Sequence, residues 1–105
     1  MWAGTSLVRL KGFPAPVRRQ AGHDLFLVQR GIEPGDWKPI RSVGPGAIEV
    51  RIHVGGEYRV LYVAKFEEAV YVLHAFEKKT QQTRRADIEL ARKNFLWITQ
   101  HRGER

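Results

Sequence analysis

The stretch that decides the fold is Ala47-Ile-Glu-Val-Arg-Ile-His-Val54, then Gly55-Gly-Glu57, Tyr58-Arg-Val-Leu-Tyr-Val-Ala-Lys-Phe66, Glu67-Glu-Ala69 and Val70-Tyr-Val-Leu-His-Ala-Phe76. Three runs rich in Val, Ile, Tyr and Phe are separated by short breaks, the signature of strands joined by tight turns. Three strands in sequence with such short connections form an antiparallel meander. A period of two puts Glu49, Arg51 and His53 on one face of the first run and Val50, Ile52 and Val54 on the other. One face therefore reads as polar and the other as core.

Upstream, Trp37–Arg41 reads as a short first strand that ends before the Gly44-Pro45-Gly46 turn. Pro14 and Pro16 suit a helix start, Val17, Ala21, Leu25 and Val28 recur at helical spacing, and Gly31 sits where a C-terminal cap would. A helix over Ala15–Arg30 follows, preceded by a short helix ahead of the Gly12-Phe13-Pro14 break, which together make a helical hairpin. Downstream, Thr83 is a candidate N-cap, and Ile88, Ala91, Phe95 and Ile98 fall on one helical stripe. The expected fold class is α+β: an N-terminal helical hairpin packed on a small antiparallel sheet, with a C-terminal helix.

A length of 105 residues reads as one domain over 1–105 and supports one modest core. No repeat, low-complexity run or linker interrupts it. The net charge of +7 is unevenly placed. Residues 1–24 carry four Lys/Arg against one acid, net +3; residues 78–105 carry eight against three, net +5; residues 25–77 carry six against seven, net −1. Basic ends fit phosphate contact as well as a solvated surface. Cysteine is absent, which excludes thiolate metal sites and cysteine catalysis and fits the cytosol. No apolar run reaches the roughly 18 residues of a membrane span, and the first residues lack the order of a signal peptide.

Several chemistries are excluded. Ser6 and Ser42 lack a nucleophile-elbow context. His23, His53, His74 and His101 are scattered without ligand spacing, so neither a metal nor another cofactor is expected. Gly44-Pro45-Gly46 lacks the Lys of a phosphate-binding loop, and Glu33, Asp36, Glu67 and Glu68 read as solvated loop and turn acids. What remains are cations projecting from strands, Arg51, Arg59 and Lys65, with Lys78 and Lys79 just beyond the last strand. Such side chains can converge on one phosphate, or can merely discourage edge pairing.

The runs Gly55-Gly-Glu-Tyr58-Arg59-Val-Leu-Tyr-Val63 and Val70-Tyr-Val-Leu-His74-Ala-Phe76-Glu-Lys78-Lys79-Thr80-Gln81 resemble the signature of phage-derived HigB-like toxins of the RelE/ParE superfamily. Glu49-Val-Arg51, Trp37-Lys-Pro39, Leu27-Val-Gln-Arg-Gly31, Phe13-Pro14 and Ala86-Asp-Ile-Glu-Leu-Ala-Arg92 extend the resemblance over nearly the whole chain. It implies a RelE-like α+β fold and a type II toxin-antitoxin system. Its further implications are cleavage of mRNA on the ribosome and neutralisation by a helix-turn-helix, HigA-like antitoxin, in a toxin-antitoxin heterocomplex or beside a homodimer.

By resemblance, Arg59 matches the arginine of the family's Tyr-Arg motif, Arg51 the basic position on the preceding strand, and Lys78 and Lys79 the basic pair after the last strand. These four are the expected catalytic residues of a metal-independent endoribonuclease giving a 2′,3′-cyclic phosphate. His53, Lys65, Arg84 and Arg85 are expected to contact RNA. A lysine base would need neighbouring cations to lower its pKa from about 10.4. His74 is expected to be a core histidine on a face with Val70, Val72 and Phe76. If Arg59 faces RNA, Tyr58 and Tyr62 face the core. Arg84 stands where relatives often carry Pro, and the edge strand that relatives form ahead of Trp2 would be truncated. Leu96 and Trp97 fall off the apolar stripe, as part of either a broader buried face or a contact with the antitoxin or a second copy. ParE-type relatives poison DNA gyrase, and a non-toxic basic RNA-binding module is a third reading.

Overall fold

The computed structural model describes residues 1–79 and 85–102. Its order is α1 (Ser6–Lys11), α2 (Ala15–Gln29), β1 (Asp36–Pro39), β2 (Ala47–His53), β3 (Glu57–Val63), β4 (Tyr71–Glu77) and α3 (Arg85–His101). The four strands form one antiparallel sheet in the order β1-β2-β3-β4. The architecture is α+β with helices at both ends, as the sequence predicts. Thr83, the expected N-cap, and Arg84 lie outside the described residues.

The sheet is covered on two faces, so the apolar residues split into two clusters. Val50, Ile52, Tyr58, Val60, Tyr62, Val72 and Ala75 pack beneath the α1–α2 hairpin against Leu10, Phe13, Val17 and Ala21. Tyr58 and Tyr62 are buried there, with the Phe13 and Tyr58 ring centroids 4.8 Å apart. On the reverse face Ala47, Leu61, Val63, Leu73 and Phe76 pack against Ala91, Phe95 and Ile98 of α3. The face expected to be polar is thus half core and half polar.

Strict alternation fails in β4. The pairing shifts register between Leu61 and Tyr62, so Leu61 faces His74 while Tyr62 faces Val72. Leu73 is the extra residue, and a bulge of this kind reverses which side chains share a face. Val72 turns to the α1–α2 side while Leu73 and Phe76 turn to α3, which corrects the expected grouping of His74 with Val72.

Residues 1–3 run beside β4: Met1 accepts from the Val72 amide at 2.8 Å, and the Ala3 amide donates to the Val72 carbonyl at 2.9 Å. The turn before β2 is closed by Gly44 and Gly46. Gly46 has φ +82, and a Cβ on Gly44 would stand 2.7 Å from the Phe95 ring. Gly44→Ala is therefore expected to push Phe95 out of its seat on the sheet and to lower stability by about 1–3 kcal/mol, measurable as a reduced denaturant midpoint.

Candidate active site

α3 covers only part of its face of the sheet, and the register sets out what the open part carries. Asp36 of β1 pairs with Arg51 of β2, which pairs with Arg59 of β3, which pairs with Phe76 of β4. One row to one side, Lys38, Glu49, Leu61 and His74 align. One row to the other side, His53 pairs with Glu57, and the Lys78 amide donates to the Glu57 carbonyl at 2.7 Å. Residues in these rows are two apart along each strand and so share a face.

The register therefore brings Arg51, Arg59, His53 and Lys78 together. Lys78 is half-buried and Lys79 is exposed at the end of the described segment. Arg85 opens α3, fully exposed and paired to Glu89 at 2.9 Å. Lys65 is separated from the group. β3 ends at Val63, and Lys65 folds back at the opposite end of the sheet with Nζ over the Phe66 and Phe95 rings at 5.3 and 5.5 Å. Four residues of extended chain put Val63 about 13 Å from Arg59, and Lys65 lies beyond the strand's end. Arg84 lies outside the described residues.

Of the acids around these cations, Asp36 is exposed, Glu57 is half-buried at the start of β3 and Glu49 is buried. Glu49 is 1% exposed. Its Oε1 lies 3.4 Å from Arg51 Nε, 3.8 Å from Lys38 Nζ and 3.9 Å from Arg59 Nε. A carboxylate can be buried this deeply because three cations compensate its lost hydration. Arg59 is itself 5% exposed. Its guanidinium donates to the Tyr58 carbonyl at 3.0 Å and lies 3.3 Å from Glu57 Oε1. Asp36, expected in a loop, opens β1 and lies 3.8 Å from Arg51.

His53 is clamped between two carboxylates, with Nε2 2.7 Å from Asp36 and Nδ1 2.8 Å from Glu57. These hydrogen bonds raise its pKa above the usual 6.5, while the imidazole lowers the pKa of both carboxyls. The two acids approach opposite edges of the ring and so do not converge on a common point. Among the described residues no group of three His, Cys, Asp or Glu side chains is arranged to hold a metal ion.

Lys38, Arg51 and Arg59 are matched in number by Asp36, Glu49 and Glu57, so what positive charge these rows keep comes from Lys78 and from His53 when it is protonated. The concentrated positive field expected to favour a lysine base is not what the strands assemble. Beneath the group, His74 is buried, its ring stacked 5.3 Å from Phe76, with Nε2 2.8 Å from Asp87 Oδ1. Burial lowers its pKa against the opposing pull of Asp87. A neutral imidazole whose Nε2–H donates to the carboxylate satisfies that geometry.

The profile of the family described as Phage derived protein Gp49-like (DUF891) matches residues 9–96. The chain belongs to this Gp49-like family. The matched span runs from α1 through the charged rows into α3, so every described site residue falls within it. No curated protein sequence matches the chain.

The sequence points to Arg51, Arg59, His53 and Lys78 but not to Lys38, Asp36 and Glu57 as their neighbours, nor to Asp87 as the partner of His74. Glu49 was legible, since alternation already grouped it with Arg51 and His53. Glu57 and Asp36 required the strand register, and the His74–Asp87 contact required the docking of α3.

Proposed function

We propose that this Gp49-like protein is the toxin of a type II toxin-antitoxin system and cleaves mRNA on the ribosome. The observation that supports this reading is the row-by-row alignment of Arg51, Arg59, His53 and Lys78 on neighbouring positions of the sheet. The RNA supplies its own nucleophile, the 2′-hydroxyl, which attacks the adjacent phosphorus. The bond from the 2′-oxygen forms, the bond to the 5′-oxygen breaks, and the products are a 2′,3′-cyclic phosphate and a 5′-hydroxyl.

Arg51 and Arg59 offer planar, permanently charged donors to the phosphate oxygens as charge builds in the transition state. Arg59 reaches the phosphate by exchanging the Glu57 carboxylate for it, since Glu57 is the exposed partner of that pair and Glu49 the buried one. Lys78 or Lys79 assists passage of the 2′-hydroxyl proton to water, and His53, kept as imidazolium by its two carboxylates, exchanges one of them for the 5′-oxygen and returns a proton there. No metal takes part in the proposed steps.

The burial of Arg59 between carboxylates favours a second reading, in which the chain is a ParE-like poison of DNA gyrase and the charged rows are structural. Induced expression separates the two. Growth arrest accompanied by new mRNA 5′ ends supports the nuclease. Arrest with intact mRNA supports the gyrase reading.

The raised His53 pKa gives a pH test. The sign is that of a group whose folded pKa exceeds its unfolded one: its ion pairs stabilise fully below about 6.5 and are lost as pH rises through the folded pKa. Cleavage should fall over that same upper range as the imidazolium loses its proton. Asp36→Asn removes one clamp and should move both the NMR titration of His53 and the alkaline limb of the cleavage profile to lower pH.

A further inference from the structure

Ile88, Ala91, Phe95 and Ile98 account for the face of α3 that meets the sheet. Leu96 and Trp97 project elsewhere, 49% and 57% exposed, and Trp2 is 41% exposed beside them. With Ala3, Gly4 and Asn94 they line a groove of about 750 Å³ between α3 and the N-terminal residues. Its floor is pinned by Asn94, whose Nδ2 donates to the Leu73 carbonyl at 2.8 Å. The three large side chains leave roughly 300 Å² of apolar surface in water, within the range of the largest patch on a typical monomer, which is often functional.

The rim has a sign. Arg92, Lys93 and Glu89 border the groove. Glu89 is held by Arg85 at 2.9 Å, whereas Arg92 and Lys93 make no ion pair among the described residues, so the rim is cationic. A second copy of this chain would bring a charge of +7 and the same basic rim, which disfavours it as the occupant. The backbone adds a further feature. Trp2 bridges to Val72 through the carbonyl of Met1 and the amide of Ala3, so its own N–H and C=O point away from β4 toward whatever lies alongside.

We propose that this groove docks an acidic segment of a partner protein, anchored by large apolar side chains between Trp2, Leu96 and Trp97 and held at its rim by Arg92 and Lys93. The groove is on the α3 and β4-edge side of the molecule, apart from Arg51 and Arg59 on β2 and β3. The inference therefore stands whether or not the nuclease reading does.

The test selects randomised short peptides on the purified full chain and measures the winners against wild type, Trp97→Ala and Arg92→Glu/Lys93→Glu. Since these side chains are exposed, the variants should keep the wild-type melting curve. The expected result is enrichment of Asp and Glu around aromatic or leucine anchors, with affinity falling about tenfold or more in both variants. Selected peptides without acidic enrichment, or binding indifferent to both variants, would overturn the proposal. So would sedimentation showing a dimer of wild type that Trp97→Ala dissolves, because the occupant would then be a second copy.

Discussion

Arg51→Ala and Arg59→Ala are both expected to lower RNA cleavage by about 100- to 1,000-fold, the usual effect of removing one donor to a developing oxyanion, yet to separate sharply in stability. Arg51 also faces buried Glu49, at 3.4 Å, but keeps about a third of its side chain in solvent, where water can take its place, so its loss should cost less, about 1–2 kcal/mol. Arg59 is buried against Glu49. Its removal leaves that carboxylate with fewer compensating cations and should cost about 3 kcal/mol. Activity measured beside urea denaturation distinguishes the two effects, and Arg51→Ala is the cleaner probe of chemistry. Equal stability losses would mean that Glu49 depends on the two arginines alike. Full activity in Arg51→Ala would remove Arg51 from the site.

The second large effect is expected at the buried His74–Asp87 contact, which ties the first turn of α3 to β4 under the charged rows. Asp87→Ala should lower stability by about 2–3 kcal/mol, because His74 Nε2–H is left buried without its acceptor. Arg85→Ala, breaking an exposed pair two residues away, should change it by less than about 0.5 kcal/mol. pH sharpens the distinction. The folded pKa of His74 lies below its unfolded value, so the unfolded chain binds the extra proton first. This contribution is present above about 6.5 and lost as pH falls, the opposite of His53. Melting followed through the acid range should show the His74 contribution as a loss that disappears in His74→Gln.

The fold was legible because its strong signals are local. Alternation in Ala47–His53, the Gly55-Gly56 turn and the Val17-Ala21 helical spacing each depend on neighbours in the chain, and each element formed where expected. Boundaries shifted by a few residues where a side chain found a tertiary partner, as when Lys65 left the strand pattern to lie over Phe66 and Phe95. The Leu73 bulge was not legible, since nothing in Val70–Phe76 itself marks the residue that steps out of register. At the site, strand parity sufficed to align Arg51 with His53 and to turn Tyr58 and Tyr62 inward. Two of the carboxylates that offset those cations, Asp36 and Glu57, come from β1 and from the β2–β3 hairpin, and Asp87, which meets His74, comes from α3. Their placement depends on pairing and helix docking, which no local pattern specifies.

Cleavage through the RNA's own 2′-hydroxyl can be read from a defined mRNA translated in a cell-free extract with the purified protein. The cleaved phosphodiester is mapped first, and the same message is then prepared with a single 2′-deoxynucleotide on its 5′ side. The first message should yield a 2′,3′-cyclic phosphate and a 5′-hydroxyl, and the deoxy message should survive at that position. Cleavage of the deoxy message at the same bond, or translation arrest with both messages intact, would contradict it.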